Sequence, residues 1–215
     1  MSNELRGKAQ TVLGLVDPLT LGMTTTHEHV LIDFVCMYVP PTDATLKYRG
    51  EEQVALHNVG WIRYDPFRNR DNLELMDEDT AIEEIALFGR VGGGTIVDAT
   101  TFGIGRDPMA LARIARATGV NIVMGAGYYV GSVHPEDMKD KTEDAITQQI
   151  IDELTVGTDG TDIKAGIIGE LGCSWPLQDN ERKVLHAGAR AQQETGAGIL
   201  IHPGRSPEAP FEILK

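Results

Sequence analysis

The hydrophobic positions of the chain follow two patterns that alternate along its length. Five short runs are apolar at successive positions, which is typical of parallel strands because both of their faces are covered. In chain order, these runs are residues 24–32, 94–101, 120–129, 165–171 and 198–202. Between successive runs, apolar residues recur every three to four positions, which predicts amphipathic helices. The helical segments are residues 79–91, 108–118, 143–155 and 180–195. The alternation predicts an α/β domain with a parallel sheet and right-handed crossovers.

Residues at the ends of the predicted helices agree with these boundaries. Asp107 and Pro108 place a carboxylate at a helix N-cap and a proline in the first turn. Gly119 and Gly196 stand where two helices end, since glycine adopts the left-handed conformation of a helix terminus at little cost.

Two segments interrupt the alternation. Residues 39–72, rich in Pro, Tyr, Arg and Asn, form a long excursion after the first predicted strand. In a (β/α)₈ barrel, such excursions lie over the face that carries the active site. Residues 10–21, with a turn at Asp17 and Pro18, predict a small hairpin at the opposite end. Five parallel strands form an acceptable open sheet but cannot close a barrel of eight.

The composition narrows the class of protein. The chain of 215 residues is 41% hydrophobic and 24% charged, which is ordinary for one globular domain with a sizeable core. Its net charge of −13 would repel phosphates, so neither nucleic acid nor a membrane surface is expected as a partner. A small-molecule substrate is expected instead, and a local positive pocket would still admit an anionic one.

The cysteines and the first ten residues indicate the cellular compartment in which the protein works. Cys36 and Cys173 are too few for a disulfide framework and lie in no CxxC pattern, so free thiols in a reducing compartment are expected. The first ten residues lack the apolar core of a signal peptide, and no run approaches the roughly 18 apolar residues that span a bilayer. We therefore expect a cytoplasmic protein.

Histidines and a glutamate stand at the carboxyl ends of three predicted strands. His27 and His29 are two positions apart on the first strand, so both point to one face, where two imidazoles can converge on a metal ion. Glu170 ends the fourth strand and His202 ends the fifth. A carboxylate preceded only by apolar residues and glycine would be costly to bury unpaired. The HxH pair alone is compatible with chance or with core histidines, but the four residues together predict a metal site.

Several motifs resemble the phosphotriesterase family of the amidohydrolase superfamily. They are residues 26–29 (THEH), 96–101 (IVDATT) running into 105–107 (GRD), and 169–170 (GE). Residues 11–16 (TVLGLV), 172–176 (GCSWP) and 201–205 (IHPGR) resemble its phosphotriesterase-related branch. The resemblance runs from about residue 10 to the last residue. It implies a TIM (β/α)₈ barrel of the metal-dependent hydrolase type, with about five of the eight βα units in a single partial-barrel domain over residues 1–215.

The resemblance also implies a ligand set for two divalent metal ions, usually Zn²⁺. Carried over, His27 and His29 bind the buried ion and His202 binds the more exposed one. Glu170 bridges the pair where better-known members use a carboxylated lysine, since the only nearby lysine, Lys164, stands at the start of the strand. The family also has a further histidine ligand on strand 6 and, at the end of strand 8, an aspartate that ligates metal and accepts the proton. Neither has a counterpart in this chain, so no catalytic residue is assigned here.

The implied reaction is hydrolysis by a metal-activated hydroxide. The branch implies cleavage of the amide bond of a small N-acyl amino acid or amino-sulfonate such as N-acetyltaurine, with phosphotriester or lactone cleavage as the alternative. At roughly 30–40 residues per βα unit, about 100–130 further residues would complete the barrel. We therefore expect a truncated chain, inactive by itself, that self-associates or forms a homo-oligomer through its open sheet edges.

Two other readings compete with the hydrolase. One is a non-catalytic truncated isoform that acts as a binding protein for a ligand or for the full-length protein. The other is an unrelated open α/β sheet that binds a phosphate at its switch point. No glycine-rich loop opens a helix in this sequence, because Gly92, Gly93 and Gly94 precede a strand, and this disfavours the phosphate site.

Three further residues are weaker candidates. Asp98, at the end of the second strand, either accepts a hydrogen bond from a ligating imidazole or caps the following turn. Arg205 either meets an anionic substrate group with its planar fork or is solvated. Tyr128 and Tyr129 end the third strand, where one lines the pocket and the other packs behind it, and Tyr128 is assigned to the pocket. The remaining histidines, His57, His134 and His186, are interpreted as surface or structural residues, and Cys173 as structural.

Overall fold

The computed structural model describes residues 6–214. Its strands are β1 Ala9–Thr11, β2 Gly14–Val16, β3 Met23–Glu28, β4 Ile32–Asp33, β5 Glu74–Leu75, β6 Gly93–Asp98, β7 Asn121–Ala126, β8 Ile167–Gly172 and β9 Ile199–His202. Its helices are α1 Val59–Tyr64, α2 Glu78–Arg90, α3 Pro108–Thr118, α4 Glu143–Thr155, α5 Asp179–Thr195 and α6 Ala209–Ile213.

Strands β3, β6, β7, β8 and β9 form one parallel sheet in that order. Helices α2, α3, α4 and α5 each lie between two successive strands of this sheet. Parallel neighbours require such crossovers, because a tight turn would reverse the direction of the chain. The α/β architecture predicted from the alternation is confirmed.

The predicted helix boundaries agree closely with the structure. Helices α3 and α4 have the predicted bounds, and α2 and α5 each begin one residue earlier. The Asp107 carboxylate accepts a hydrogen bond from the Ala110 amide at 2.9 Å, as an N-cap does. Gly119 and Gly196 end their helices with φ of 72° and 71°, the left-handed region that favours glycine.

The first predicted strand was too long. Strand β3 ends at Glu28, and the chain bends at Val30 and Leu31 before the short strand β4. The cause is a side chain of the neighbouring strand, because the Val30 amide donates to the Asp98 carboxylate at 3.0 Å. His29 therefore lies just beyond the strand and not within it.

An apolar core lies between the sheet and the helices. The large side chains buried completely in it are Ile114, Ile122, Met124, Ile146, Ile150 and Ile168. Burial of each such side chain is worth about 1.5–3 kcal/mol. This packing fixes the strands, and with them the positions of the side chains at their carboxyl ends.

Two smaller units close the ends of the sheet. Strands β1 and β2 form the predicted hairpin, and the Val12 amide between them donates to the Ile122 carbonyl near the start of β7. The excursion over residues 39–72, called the insert below, is held at its base by the antiparallel pair of β4 and β5. The buried side-chain amide of Asn69 donates to the backbone carbonyls of Arg49 and Glu52, both at 2.8 Å. These hydrogen bonds join separate parts of the insert to one another. Among the residues that the structure describes, no helix is long and apolar enough to cross a membrane.

Candidate metal centre

The carboxylate of Glu170 lies among three histidines. Its Oε2 atom is 3.4 Å from His27 Nε2 and 3.6 Å from His202 Nδ1, and its Oε1 atom is 3.4 Å from His29 Nε2. The Glu170 side chain is 2% exposed, whereas the His27 side chain is 44% exposed and faces solvent. The structure therefore brings together all four residues that the sequence assigned to a metal site.

The backbone around Glu170 is fixed on both sides. Its amide donates to the Ala99 carbonyl at 3.1 Å, and its carbonyl accepts from the Thr101 hydroxyl at 3.2 Å. Strand β7 approaches β8 closely at Gly125, where a Cβ atom would overlap the Gly169 carbonyl oxygen. Glycine is required at this position because any larger residue would push β8 away, and Glu170 with it.

Thr100 determines the tautomer of His29. The Thr100 hydroxyl has one proton and donates it to the Leu31 carbonyl at 3.0 Å. It therefore accepts the hydrogen bond that joins it to His29 Nδ1 at 3.0 Å, and Nδ1 carries the ring proton. The unshared pair of His29 Nε2 is left facing a carboxylate oxygen of Glu170. Two such electron pairs repel each other unless a cation lies between them.

The donor set fits a metal ion. Glu170 Oε2 is buried and has no hydrogen-bond partner among residues 6–214. Leaving a buried anion unpaired is costly, and a divalent cation would satisfy both this oxygen and the facing imidazoles. Ligand atoms of His27, His29 and Glu170 lie within 4.8 Å of one another. Imidazole nitrogen and carboxylate oxygen are ordinary zinc donors, so the residues match the chemistry that the sequence predicted.

Burial favours the neutral ring of His202. Desolvation lowers the pKa of this histidine below its usual range, against the opposing charge of Glu170. The nearby charge of Arg205 lowers the pKa further. A neutral imidazole keeps an unshared pair, so His202 is in the state that a metal ligand needs at neutral pH.

Tyr129 lies against the cluster, and Tyr128 does not. The rings of Tyr129 and His202 are 5.3 Å apart, and the buried Tyr129 hydroxyl has no hydrogen-bond partner in the described residues. The Tyr128 hydroxyl instead donates to Gln149 of α4 at 2.5 Å. The assignment of Tyr128 to the pocket is therefore corrected, because β7 ends at Ala126 and Gly127, with φ of 102°, reorients the chain before the two tyrosines.

Asp98 supports the site through the backbone. Its two carboxylate oxygens accept from the amides of Thr100 at 2.8 Å and Val30 at 3.0 Å. The predicted hydrogen bond from an imidazole is not formed within residues 6–214, and the alternative role, capping the following turn, is the one observed. The imidazole partner is Thr100, two residues further along the same motif.

Arg205 lies at the edge of the cluster on the loop after β9. Its side chain is exposed, and its guanidinium carbon is 4.0 Å from the centre of the Phe67 ring in the insert. Sequence reasoning missed Phe67, because the insert has no periodicity that would show which of its residues turn towards the sheet.

The remaining cysteines and histidines lie in other environments. Cys36 and Cys173 are both free thiols, and burial raises the pKa of Cys173 to about 12. His57 and His186 are 71% and 59% exposed. The His134 ring lies 5.9 Å from the Tyr128 ring, and its Nε2 atom is 2.8 Å from the Tyr129 carbonyl oxygen.

The chain belongs to the phosphotriesterase family. The sequence profile of the Phosphotriesterase family matches residues 7–215. The N-acetyltaurine hydrolase of Homo sapiens is 46% identical over 214 residues, which cover 99% of this chain and 61% of that protein. The phosphotriesterase-related protein of Nematostella vectensis is 47% identical over 212 residues, which cover 97% of this chain and 61% of that protein.

Comparison of structures agrees with the family assignment. A resiniferatoxin-binding protein from Rhodobacter sphaeroides superposes with a TM-score of 0.92 and 41% identity, over 97% of this chain and 58% of that one. The five parallel strands and their helices thus form part of the wall of a (β/α)₈ barrel, as the sequence predicted. The chain spans about three fifths of the length of the curated relatives that it matches.

Proposed function

We propose that this chain is part of a metal-dependent hydrolase that cleaves the amide bond of a small N-acyl amino acid or amino-sulfonate such as N-acetyltaurine. The observation that carries the proposal is the buried Glu170 carboxylate, which faces three imidazoles and lacks a hydrogen bond at Oε2. The choice of substrate is supported by the similarity to proteins named N-acetyltaurine hydrolase.

The metal-binding residues of the proposal are four. His27, His29 and Glu170 would hold divalent metal, together with His202, whose ring also faces the Glu170 carboxylate. Zn²⁺ is the metal proposed, because the donor set consists of imidazole nitrogen and carboxylate oxygen. When bound, such ions polarise the scissile carbonyl and lower the pKa of water.

The protein's own residues orient this site. Thr100 holds the His29 ring with its Nε2 electron pair towards Glu170, so the ring does not have to change tautomer when it binds. The buried Tyr129 hydroxyl has no hydrogen-bond partner in the described residues, and its ring packs against His202 and helps to hold that imidazole in place. Burial raises the pKa of Tyr129, which keeps this hydroxyl protonated at neutral pH.

The proposed function includes a small-molecule substrate and a cytoplasmic location. A small molecule is the expected partner, since a chain with a net charge of −13 repels polyanions. A cytoplasmic location is supported by the two free thiols of Cys36 and Cys173.

The direct test is hydrolysis of a defined panel of substrates. The panel contains N-acetyltaurine, N-acetyl amino acids, a lactone and a phosphotriester. It is assayed with zinc on this chain and on a version extended to the length of its relatives. We expect amide cleavage by the extended version, loss of that cleavage on Glu170→Gln, and no cleavage by the 215-residue chain. Cleavage of the lactone or phosphotriester alone would contradict the amide assignment, and cleavage of no substrate would contradict the hydrolase.

A further inference from the structure

The guanidinium of Arg205 contacts an aromatic ring and forms no ion pair with a carboxylate of residues 6–214. Its carbon lies 4.0 Å from the centre of the Phe67 ring, while no carboxylate of residues 6–214 comes within 4.0 Å of its nitrogens. In the insert, Arg68 pairs with Asp65 and Arg70 with Glu74, whereas Arg49, like Arg205, lies over aromatic rings. In a chain with 32 acidic and 19 basic residues, a cation without an acidic partner at the edge of the site is available to a ligand.

A row of rings connects this cation to the histidine cluster. The Phe67 ring lies 6.3 Å from Phe34, Phe34 lies 5.8 Å from Tyr129, and Tyr129 lies 5.3 Å from His202. Backbone hydrogen bonds fix both phenylalanines, since the Phe67 carbonyl accepts from Val39 and the Phe34 amide donates to Leu73. Phe67 of the insert thus continues a row of aromatic rings that begins at the cluster and ends beside Arg205.

A cation–π contact with the flat face of a guanidinium leaves its N–H donors free. The five donors lie in the plane of the group and point outward, away from a ring that covers one face. Such a fork binds a carboxylate or sulfonate through two parallel hydrogen bonds. A stacked arginine also loses less side-chain freedom on binding than a solvated one.

We propose that Phe67 of the insert is a positioning residue, which holds the Arg205 fork at the mouth of the site to bind the anionic end of the substrate. This inference rests on the proposed function, because an N-acyl amino acid or amino-sulfonate carries a carboxylate or sulfonate a few bonds from the scissile amide. The insert is then the element that selects anionic amides over neutral ones.

The test compares three ligands that differ at one end. N-acetyltaurine carries a sulfonate, N-acetyl-β-alanine a carboxylate, and N-ethylacetamide neither. Their affinities are measured by calorimetric titration of this chain and of the extended version, with and without zinc, and KM and kcat are measured wherever turnover occurs. We expect both anions to bind at least about tenfold more tightly than the neutral amide, as a charge-assisted bidentate pair predicts.

The variants separate stacking from folding. Phe67→Leu and Phe67→Met fill the space without an aromatic face, and each should reduce the preference for anions about threefold to tenfold, in line with the strength of a cation–π contact. Phe67→Tyr should keep the preference, and Arg205→Met should abolish it. The exposed residues Phe211 and Arg63 provide the matched controls Phe211→Leu and Arg63→Met, which should change nothing. In the kinetic assay, Phe67→Leu and Phe67→Met should raise KM for anions and leave kcat unchanged.

The outcomes distinguish this inference from the proposed function. An anion preference that depends on Phe67 and Arg205, without cleavage of N-acetyltaurine, would support the inference and refute the proposed function. Equal affinity for all three ligands would overturn the inference, even if N-acetyltaurine is hydrolysed. A folded Phe67→Leu or Phe67→Met protein with an unchanged preference would overturn the role of Phe67.

Discussion

At the scale of single residues, the site depends on Glu170 and on the groups that orient its neighbours. The buried carboxylate is surrounded by imidazoles that cannot all donate to it, because Thr100 fixes the proton of His29 on Nδ1. An arrangement of opposed electron pairs is unfavourable by itself and becomes favourable when a cation is bound. We therefore expect Thr100 to contribute to the affinity of the proposed metal site without being a ligand itself.

Replacing Thr100 tests this role. Thr100→Val keeps the shape of the side chain and removes the oxygen that accepts from His29. We expect zinc affinity to fall about tenfold to a hundredfold, as is typical when the partner of a ligating histidine is lost. Thr95→Val is the matched control, because Thr95 is equally buried and its hydroxyl donates to the Leu21 carbonyl far from the cluster. Equal zinc affinities in competition titrations of the two variants would contradict the assigned tautomer.

At the scale of elements, an ion-pair network ties α4 to the end of β7. The Arg106 side chain is 1% exposed and pairs with Glu153 at 2.9 Å and with Asp159 at 2.8 Å. Arg106 also donates to the Gly125 carbonyl, and Glu153 accepts from the Gly127 amide at 2.8 Å. The network thus fixes the strand end from which Tyr129 reaches the cluster.

Breaking the Arg106 network should cost more than breaking a surface pair. Arg106→Met leaves the Glu153 carboxylate buried and unpaired, so the free energy of unfolding should fall by about 3–5 kcal/mol. Arg113→Met removes the exposed pair with Glu78 and should cost less than about 1 kcal/mol. Urea denaturation measures both values. If Arg106→Met were no more destabilising than Arg113→Met, the network would not be a structural clamp.

The sequence predicted the elements, and the grouping of the four candidate ligands, better than it predicted the surroundings of the cluster. His27, His29, Glu170 and His202 could be identified because the carboxyl ends of parallel strands meet at one edge of a sheet. Tyr129 could not be distinguished from Tyr128, because the choice depends on the backbone turn at Gly127. Phe67 lies in an insert held by hydrogen bonds such as those of Asn69, which leave no periodic pattern in the sequence.

At the scale of the whole molecule, the sheet has two strands that are paired on one side only. Among residues 6–214, these are β3 and β9, the outer strands of the main sheet. Strands β7 and β8 are buried along almost their whole length, whereas no residue of β3 or β9 is fully buried. Ile199, at the start of β9, is 37% exposed. Unpaired, apolar strand edges favour pairing with another chain.

We therefore expect the 215-residue polypeptide to self-associate when it is prepared alone. Light scattering should report species larger than a monomer, and Ile199→Lys should shift them towards monomer because a charge on an edge strand opposes pairing. Leu19→Lys is the control, since Leu19 is 93% exposed and lies outside the main sheet. A monodisperse monomer with a cooperative thermal transition would contradict this expectation.

The metal content of the protein shows most directly whether Glu170 and the three histidines form a metal centre. Zinc bound per chain is measured by elemental analysis after dialysis, for the version extended to the length of its relatives, unaltered and with His27→Ala, Glu170→Gln or Glu28→Gln. The exposed Glu28 lies between the two histidines in sequence and provides the matched control. We expect the unaltered protein and Glu28→Gln to retain zinc, His27→Ala to lose one equivalent, and Glu170→Gln to lose occupancy at both positions. Zinc retained in full by Glu170→Gln, or no zinc in the unaltered protein, would contradict the metal centre described here.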